Sequence, residues 1–428
     1  MTSALVLVLM FVLLALGVPV GFTMAAAGAI GLFALGGLDM LLGVLQTAPL
    51  STVSAYELVT VPMFLLMAEF VMASGIADDL FRAAAAWIGH IRGGLGMATA
   101  LTGAGFGAMC GTSTASAAAL SATSLPAMLK QGYEPKMAAG VVAISGTLSM
   151  LIPPAVALVI FGLLAEVNIG KLLVAGLIPA FLVMLTIMAT VYLLAVFDPQ
   201  SAPASARVGL RERFHRLRVI WPMLALMLVV TGVIYTGVAT PTEASAIGAF
   251  GAFLLSVWKR GFKPAVIRQA ALRAAVSSCM IATIIMGAQI FGYFFAMTHV
   301  TQDIVLWVGA LDTSRWVIIV CILLMYIVLG AFMDQIAILV LTVPVVIPVI
   351  VSLGFDPIWF GVVKIVTAEV GMITPPVGLN CFIVARYANR PIGEVFQGIW
   401  PHFGAHILII AVFLLFPQLT LWLPSLMK

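Results

Sequence analysis

The chain has 428 residues, of which 63% are hydrophobic and 8% charged, with a formal net charge of +4 and a mean hydropathy of +1.21. A soluble domain carries roughly a quarter charged residues, so this composition excludes a water-soluble globule and reads as an all-α polytopic membrane protein. Ten of the 20 Lys and Arg fall between Arg207 and Arg273, on either side of an apolar pair of segments. Such clusters mark cytoplasmic loops and leave no folded basic surface for nucleic acid.

In chain order, residues 4–17 are apolar without a charged leading region or a small-residue cleavage site, and read as a retained first span. The first half is expected to carry spans at about 4–36, with a break at Val18-Pro19, then 58–74, 94–109, 137–165 and 172–197. The runs are long and do not alternate, which excludes a membrane barrel. Residues 77–91 place Asp78, Asp79, Arg82 and His90 around an apolar face, as an amphipathic helix lying along the interface would. Residues 107–130 are rich in Gly, Ala, Ser and Thr, and four hydroxyls crowd the run Gly111-Thr112-Ser113-Thr114-Ala115-Ser116 before Pro126 closes the segment. A close-packing helix face explains the small residues. The tip of a re-entrant helical hairpin also explains the hydroxyls, because non-helical backbone at membrane depth needs protein or a wet cavity to satisfy it.

The next element contains Ile152-Pro153-Pro154-Ala155, and a proline pair inside an apolar segment breaks a helix. Thr374-Pro375-Pro376-Val377 repeats this break 222 residues later. The same offset links Pro19 with Pro241, Pro126 with Pro348, Gly132 with Gly354, Pro135 with Pro357, Gly176 with Gly398 and Pro179 with Pro401. The pattern predicts an internal duplication: a first repeat at 1–197, a basic cytoplasmic linker at 198–218 and a second repeat at 219–428. The second repeat then holds a hairpin at about 329–352, with Gly330, Asp334, Pro344 and Pro348, and a broken helix at about 358–389. A carboxylate in such an apolar run is costly in lipid, so Asp334 is a candidate site residue, with a structural pairing to a distant Lys or Arg as the alternative.

Broken helices expose carbonyls at one half-helix end and N–H groups at the other. Carbonyls suit a small hard cation; N–H groups and hydroxyls suit a carboxylate. One hairpin tip facing one break in each half predicts two cation sites with an anion between them. Other chemistries lack their residues. Cys110, Cys279, Cys321 and Cys381 stand singly, implying neither disulfides nor a metal site. His402 and His406 share a helix face, but no Glu follows the first and no third ligand is evident. Asp334 has no second Asp in a comparable setting for acid catalysis. No enzyme and no cofactor is expected.

Val61-Pro62-Met63-Phe64, Gly105-Phe106-Gly107 through Gly111-Thr112-Ser113, Gly132-Tyr133-Glu134-Pro135, Ile152-Pro153-Pro154, Thr240-Pro241-Thr242-Glu243-Ala244, Phe332-Met333-Asp334 and the run Ile373 to Asn380 together resemble the large membrane subunit of the tripartite ATP-independent periplasmic (TRAP) transporters, the dicarboxylate transporter M group of the ion-transporter superfamily. The resemblance covers essentially the whole chain. It implies inverted repeats and a sodium-driven elevator in the bacterial inner membrane. It also implies a small membrane subunit of about four helices, and a soluble periplasmic binding protein that delivers an organic acid anion such as a C4-dicarboxylate or sialic acid. Carried onto matching positions, one sodium site uses Gly330, Gly371, Thr374 and Val377, largely through carbonyls, with Asp334 nearby. The other uses Ala108, Gly111 and Ser113 with Ser149 and Ile152. Ser113, Thr114, Ser116 and Asn380 are the candidates for substrate. A self-sufficient sodium/carboxylate symporter, or a non-transporting scaffold or channel, are the competing readings. Inverted repeats require an odd number of crossings per half, and residues 4–36 and 219–258 leave that parity open.

Overall fold

The computed structural model describes residues 2–427, and every regular element among them is helical. The first half comprises α1 (Thr2–Ala15), α2 (Val20–Val53), α3 (Thr60–Ser74), α4 (Ile76–Ile88), α5 (Gly94–Cys110), α6 (Ser113–Lys130), α7 (Pro135–Thr147), α8 (Val156–Leu164), α9 (Ile169–Ala175) and α10 (Leu177–Phe197). The second comprises α11 (Leu210–Tyr235), α12 (Pro241–Arg260), α13 (Pro264–Thr298), α14 (Val300–Gly309), α15 (Arg315–Phe332), α16 (Gln335–Ser352), α17 (Pro357–Gly371), α18 (Leu379–Ala388), α19 (Ile392–Leu415) and α20 (Gln418–Ser425). Among the described residues, eight helices are long and apolar enough to cross a membrane.

Local chemistry sets many of these boundaries. Pro135, Pro241, Pro264 and Pro357 open their helices, where a missing N–H costs nothing and the fixed φ suits the first turn. Thr240 and Glu243 close a reciprocal capping box on α12, and the Asp356 carboxylate accepts from the amides of Ile358 and Trp359 at the start of α17, satisfying orphan donors. Gly111, at φ +63°, ends α5 in the left-handed conformation that an L side chain resists.

Element boundaries recur at the 222-residue spacing: α6 and α16 begin at 113 and 335, and α7 and α17 at 135 and 357. The spacing slips in one place. α2 bends at Gly36 and Gly37, where its backbone is non-helical, yet continues to Val53. In the second half α12 stops at Arg260, close to the position matching that bend, and α13 then runs unbroken from Pro264 to Thr298.

Two groups of helices pack together. In one, α2 lies against α13 and α3 against α12. The α2–α13 approach is close, since a Cβ on Gly28 would stand 2.8 Å from the Phe291 Cα. Lys259 at the end of α12 pairs with Asp79 of α4, and the Arg260 side chain donates to the Ser74 carbonyl. The second group contains two helical hairpins, α5–α6 and α15–α16, and two interrupted helices, α7–α8 and α17–α18. Its packing is crossed: α6 lies on both α7 and α18, and α16 on both α17 and α8.

Several boundaries differ from expectation. The 94–109 segment is the first arm of a hairpin that spans 94–130 rather than about 107–130, because a two-residue turn at Gly111 and Thr112 folds α6 back along it. By the same geometry the second hairpin begins at Arg315 rather than near 329. The break expected at Val18-Pro19 falls in the gap at 16–19 that parts α1 from α2, but α2 runs past residue 36 to Val53. Within 219–258, which the sequence left open as one broken segment or two, α11 and α12 are separate helices.

Candidate functional site

Each interrupted helix stops for the reason its sequence contains. α7 tightens into a 3-10 turn, Leu148–Met150, before Pro153 and Pro154, and α17 ends at Gly371 before Pro375 and Pro376. Among the described residues, no hydrogen bond is accepted by the carbonyls of Leu151, Ile152, Pro153 and Pro154, nor by those of Thr374, Pro375, Pro376 and Val377. The C-terminal ends of the first hairpin arms are similarly free: Ala108, Cys110 and Gly111 in one hairpin, Gly330, Phe332 and Met333 in the other. Unpaired carbonyls at a helix C-terminus carry partial negative charge, a setting that fits a small hard cation.

Close backbone approach brings tip and break together in each half. A Cβ on Gly111 would lie 2.8 Å from the Pro154 carbonyl oxygen, and one on Gly107 would lie 2.6 Å from the Ser149 Cα. In the second half a Cβ on Gly330 would lie 2.8 Å from the Gly371 Cα. The Gly378 amide donates to the Ala331 carbonyl at 3.3 Å. Ala108, Gly111, Ser149 and Ile152 therefore gather at one junction, and Gly330, Gly371 and Thr374 at the other. Two side chains there are already engaged: the Ser149 hydroxyl donates to the Gly146 carbonyl at 2.9 Å, and the Thr374 hydroxyl to that of Val370 at 2.6 Å. Donation uses only the proton, so each residue can still offer a cation its hydroxyl oxygen as well as its backbone oxygen. The junctions also differ in exposure, because Pro153 and Pro154 are buried whereas Pro375 and Pro376 are exposed.

The hairpin tips meet over a cavity of about 280 Å³ between the two helix groups. Thr112, Thr114 and Ala115 line it from the first hairpin, Asp334 and Ile336 from the second, and Glu69 of α3 with Ala274 and Ser277 of α13 from the other side. Asp334 caps α16, its carboxylate accepting from the Ile336 amide at 3.0 Å. Ser113 points away from the cavity and approaches Met372, 4.0 Å from its sulfur. The Asn380 amide donates to the Met372 carbonyl at 3.3 Å, so these two residues from different halves converge on the second break. The Asn380 side-chain amide and the Ser116 hydroxyl are buried without partners. Of the substrate candidates, Thr114 alone lines the cavity; Ser113, Ser116 and Asn380 lie in the wall behind it.

Sequence reasoning passed over several polar groups. Lys364 and Glu369 of α17 are buried, as is Gln335 beside Asp334, and among the described residues none has a well-formed hydrogen bond, Glu369 facing the Ser113 hydroxyl. Arg273, grouped with a basic loop on sequence, lies inside α13 and pairs with Glu69 at 2.7 Å, placing an ion pair at the cavity's edge. A charge inside an apolar run was the available signal for Lys364 and Glu369. His402 and His406 are buried within α19, with His406 Nδ1 2.9 Å from the His402 carbonyl oxygen.

Comparison with known proteins places this arrangement. The family model described as "Tripartite ATP-independent periplasmic transporter, DctM component" matches residues 7–419. The C4-dicarboxylate TRAP transporter large permease protein DctM of Pseudomonas aeruginosa is 34% identical over 372 residues, 86% of each chain. The sialic acid TRAP transporter large permease protein SiaM of Vibrio cholerae is 29% identical over 97% of this chain and 96% of its own. Among solved structures, the YdaH transporter of Alcanivorax borkumensis superposes with a TM-score of 0.62 at 15% identity, over 90% of both chains, a likeness of fold.

Proposed function

The chain belongs to the DctM component family of tripartite ATP-independent periplasmic transporters, and from that premise we propose that it carries an organic acid anion across the membrane by sodium-coupled elevator transport. It is the large permease subunit of such a system and a multi-pass protein of the inner membrane. The observation that carries the finer reading is the meeting of two hairpin tips and two carbonyl-rich breaks beside one cavity. Sodium at each junction would complete the coordination that the broken helices leave open. The second junction supplies Gly330, Gly371, Thr374 and Val377 carbonyls with the Asp334 carboxylate nearby; the first supplies Ala108, Gly111, Ser149 and Ile152, with Ser113 alongside.

In this reading an anion enters the cavity after the junctions fill, attracted by the bound cations and held by Thr114 and by reorientation of Ser113, Ser116 and Asn380. The hairpin group, α5–α10 with α15–α20, then slides against the group built on α2, α3, α12 and α13. The recurrence of elements at 222 residues supports a pair of inverted repeats whose exchange of conformation provides alternating access. The named relatives support a C4-dicarboxylate or a sialic acid as cargo. They also support a small membrane subunit and a periplasmic binding protein as partners, and the chain performs no covalent chemistry.

Uptake of labelled organic acids into proteoliposomes tests this directly. Uptake should require an inward sodium gradient and all three components, and should vanish in potassium. Sodium-driven uptake by this chain alone would replace the tripartite reading with that of a self-sufficient symporter; uptake without saturation would point to a channel.

A further inference from the structure

Helix α17 carries two charges that its counterpart lacks. Lys364 and Glu369 correspond at the 222-residue spacing to Val142 and Thr147 of α7, which are buried in the same way. A helix in this position therefore packs without charge, and packing does not account for the pair. Both charged side chains are buried, at 0% and 2% exposure; among the described residues Lys364 makes no hydrogen bond, and Glu369 faces the Ser113 hydroxyl of the first hairpin without a well-formed one. The Lys364 ammonium lies 4.9 Å from the centre of the Tyr326 ring, whose hydroxyl donates to Thr342 at 2.9 Å. Tyr326 stands one turn before Gly330, and Glu369 two residues before Gly371, so the two charges flank the second junction. Each is within electrostatic reach of the other and of Asp334.

We propose that Lys364 and Glu369 are a built-in charge pair that sets the cation affinity of the second junction without ligating the ion, Lys364 opposing occupancy and Glu369 favouring it. Burial makes each of these charges costly, and opposite charges offset that cost in one another over several ångströms because little solvent screens them. The ring face of Tyr326 stabilises the ammonium where no carboxylate touches it. The junction then holds its cation loosely enough to release it, which a cluster of carbonyls next to two uncompensated carboxylates would not. The first junction has Val142 and Thr147 in these places and meets the pair only through Ser113, so the two sites should differ in affinity.

This inference rests on reading the second junction as a sodium site, and sodium-binding isotherms of the purified full chain, measured by calorimetry against a potassium background, separate the two ideas. Lys364→Met should tighten one class of sodium site by about three- to tenfold, and Glu369→Gln should weaken it by a similar factor. The double variant should return to within about twofold of the parent, as compensating charges do. Single variants that shift binding in the same direction, or not at all, while the parent binds sodium would overturn the charge-pair proposal and leave the site reading intact. Absence of sodium binding by the parent would overturn both. Should a single variant fail to fold because it leaves a charge unpaired, the double variant still decides: loss of sodium binding there would mean that Glu369 ligates the ion, contrary to the proposal.

Discussion

Asp334 combines two roles that substitution can separate. Its carboxylate caps α16 and also faces the cavity between the helix groups. Asp334→Ala should lower the stability of the solubilised protein by about 1 kcal/mol through loss of the cap, whereas Asp334→Ser keeps a capping oxygen and should cost only a few tenths. Both should weaken the sodium dependence of uptake. A serine variant with unchanged sodium activation would show that the carboxylate serves the cap alone. At Gly371 the constraint is steric, since an added Cβ would meet the Gly330 Cα at 2.7 Å. Gly371→Ala should force hairpin and break apart at a cost of about 1–3 kcal/mol and abolish sodium-driven uptake in protein that still inserts, as uptake and membrane-fraction blots would show. Asp334 was legible in the sequence because one carboxylate interrupts a long apolar run. Lys364 and Glu369 carried a similar signal, two charges in an otherwise apolar fifteen-residue helix, but their burial depends on the helices packed around α17, α15 foremost.

At the level of elements, the proline pairs are the decisive punctuation. Replacing Pro375 and Pro376 by Ala restores amides and removes ring clashes, so α17 and α18 should join and engage the free carbonyls of 374–377 internally. Insertion should survive and uptake should not; wild-type uptake by that variant would remove the second break from the site. The breaks were legible because proline acts locally. The first arms of the hairpins were not, because whether a seventeen-residue apolar helix such as α5 crosses the bilayer or folds back depends on its neighbour α6. The crossed packing of α6 on α18 and of α16 on α8 was equally hidden, since it joins residues more than 150 positions apart. It ties each hairpin to the other half's interrupted helix, so the two hairpins should move together. A disulfide between Ala115→Cys at the first tip and Ala274→Cys across the cavity should therefore arrest transport by both junctions, reversibly on reduction. Continued turnover of the oxidised protein would argue against sliding of one group past the other.

For the whole molecule, composition alone identified a membrane protein, and the starts of α6 and α16, and of α7 and α17, recur at the 222-residue spacing. What the spacing concealed is an asymmetry of continuity. α2 yields at Gly36 and Gly37, whereas α13 spans 35 residues without interruption. At 1.5 Å per residue such a rod is about 52 Å long, against about 30 Å of hydrocarbon and about 40–45 Å with headgroups. α13 must therefore lean steeply or project into water, and because it forms one wall of the cavity its inclination fixes the track along which the hairpin group travels. Membrane thickness thus becomes a variable of the machine. In vesicles of graded acyl-chain length, thinner bilayers should tilt this wall further and change the rate of uptake, while the equilibrium affinity for sodium stays constant.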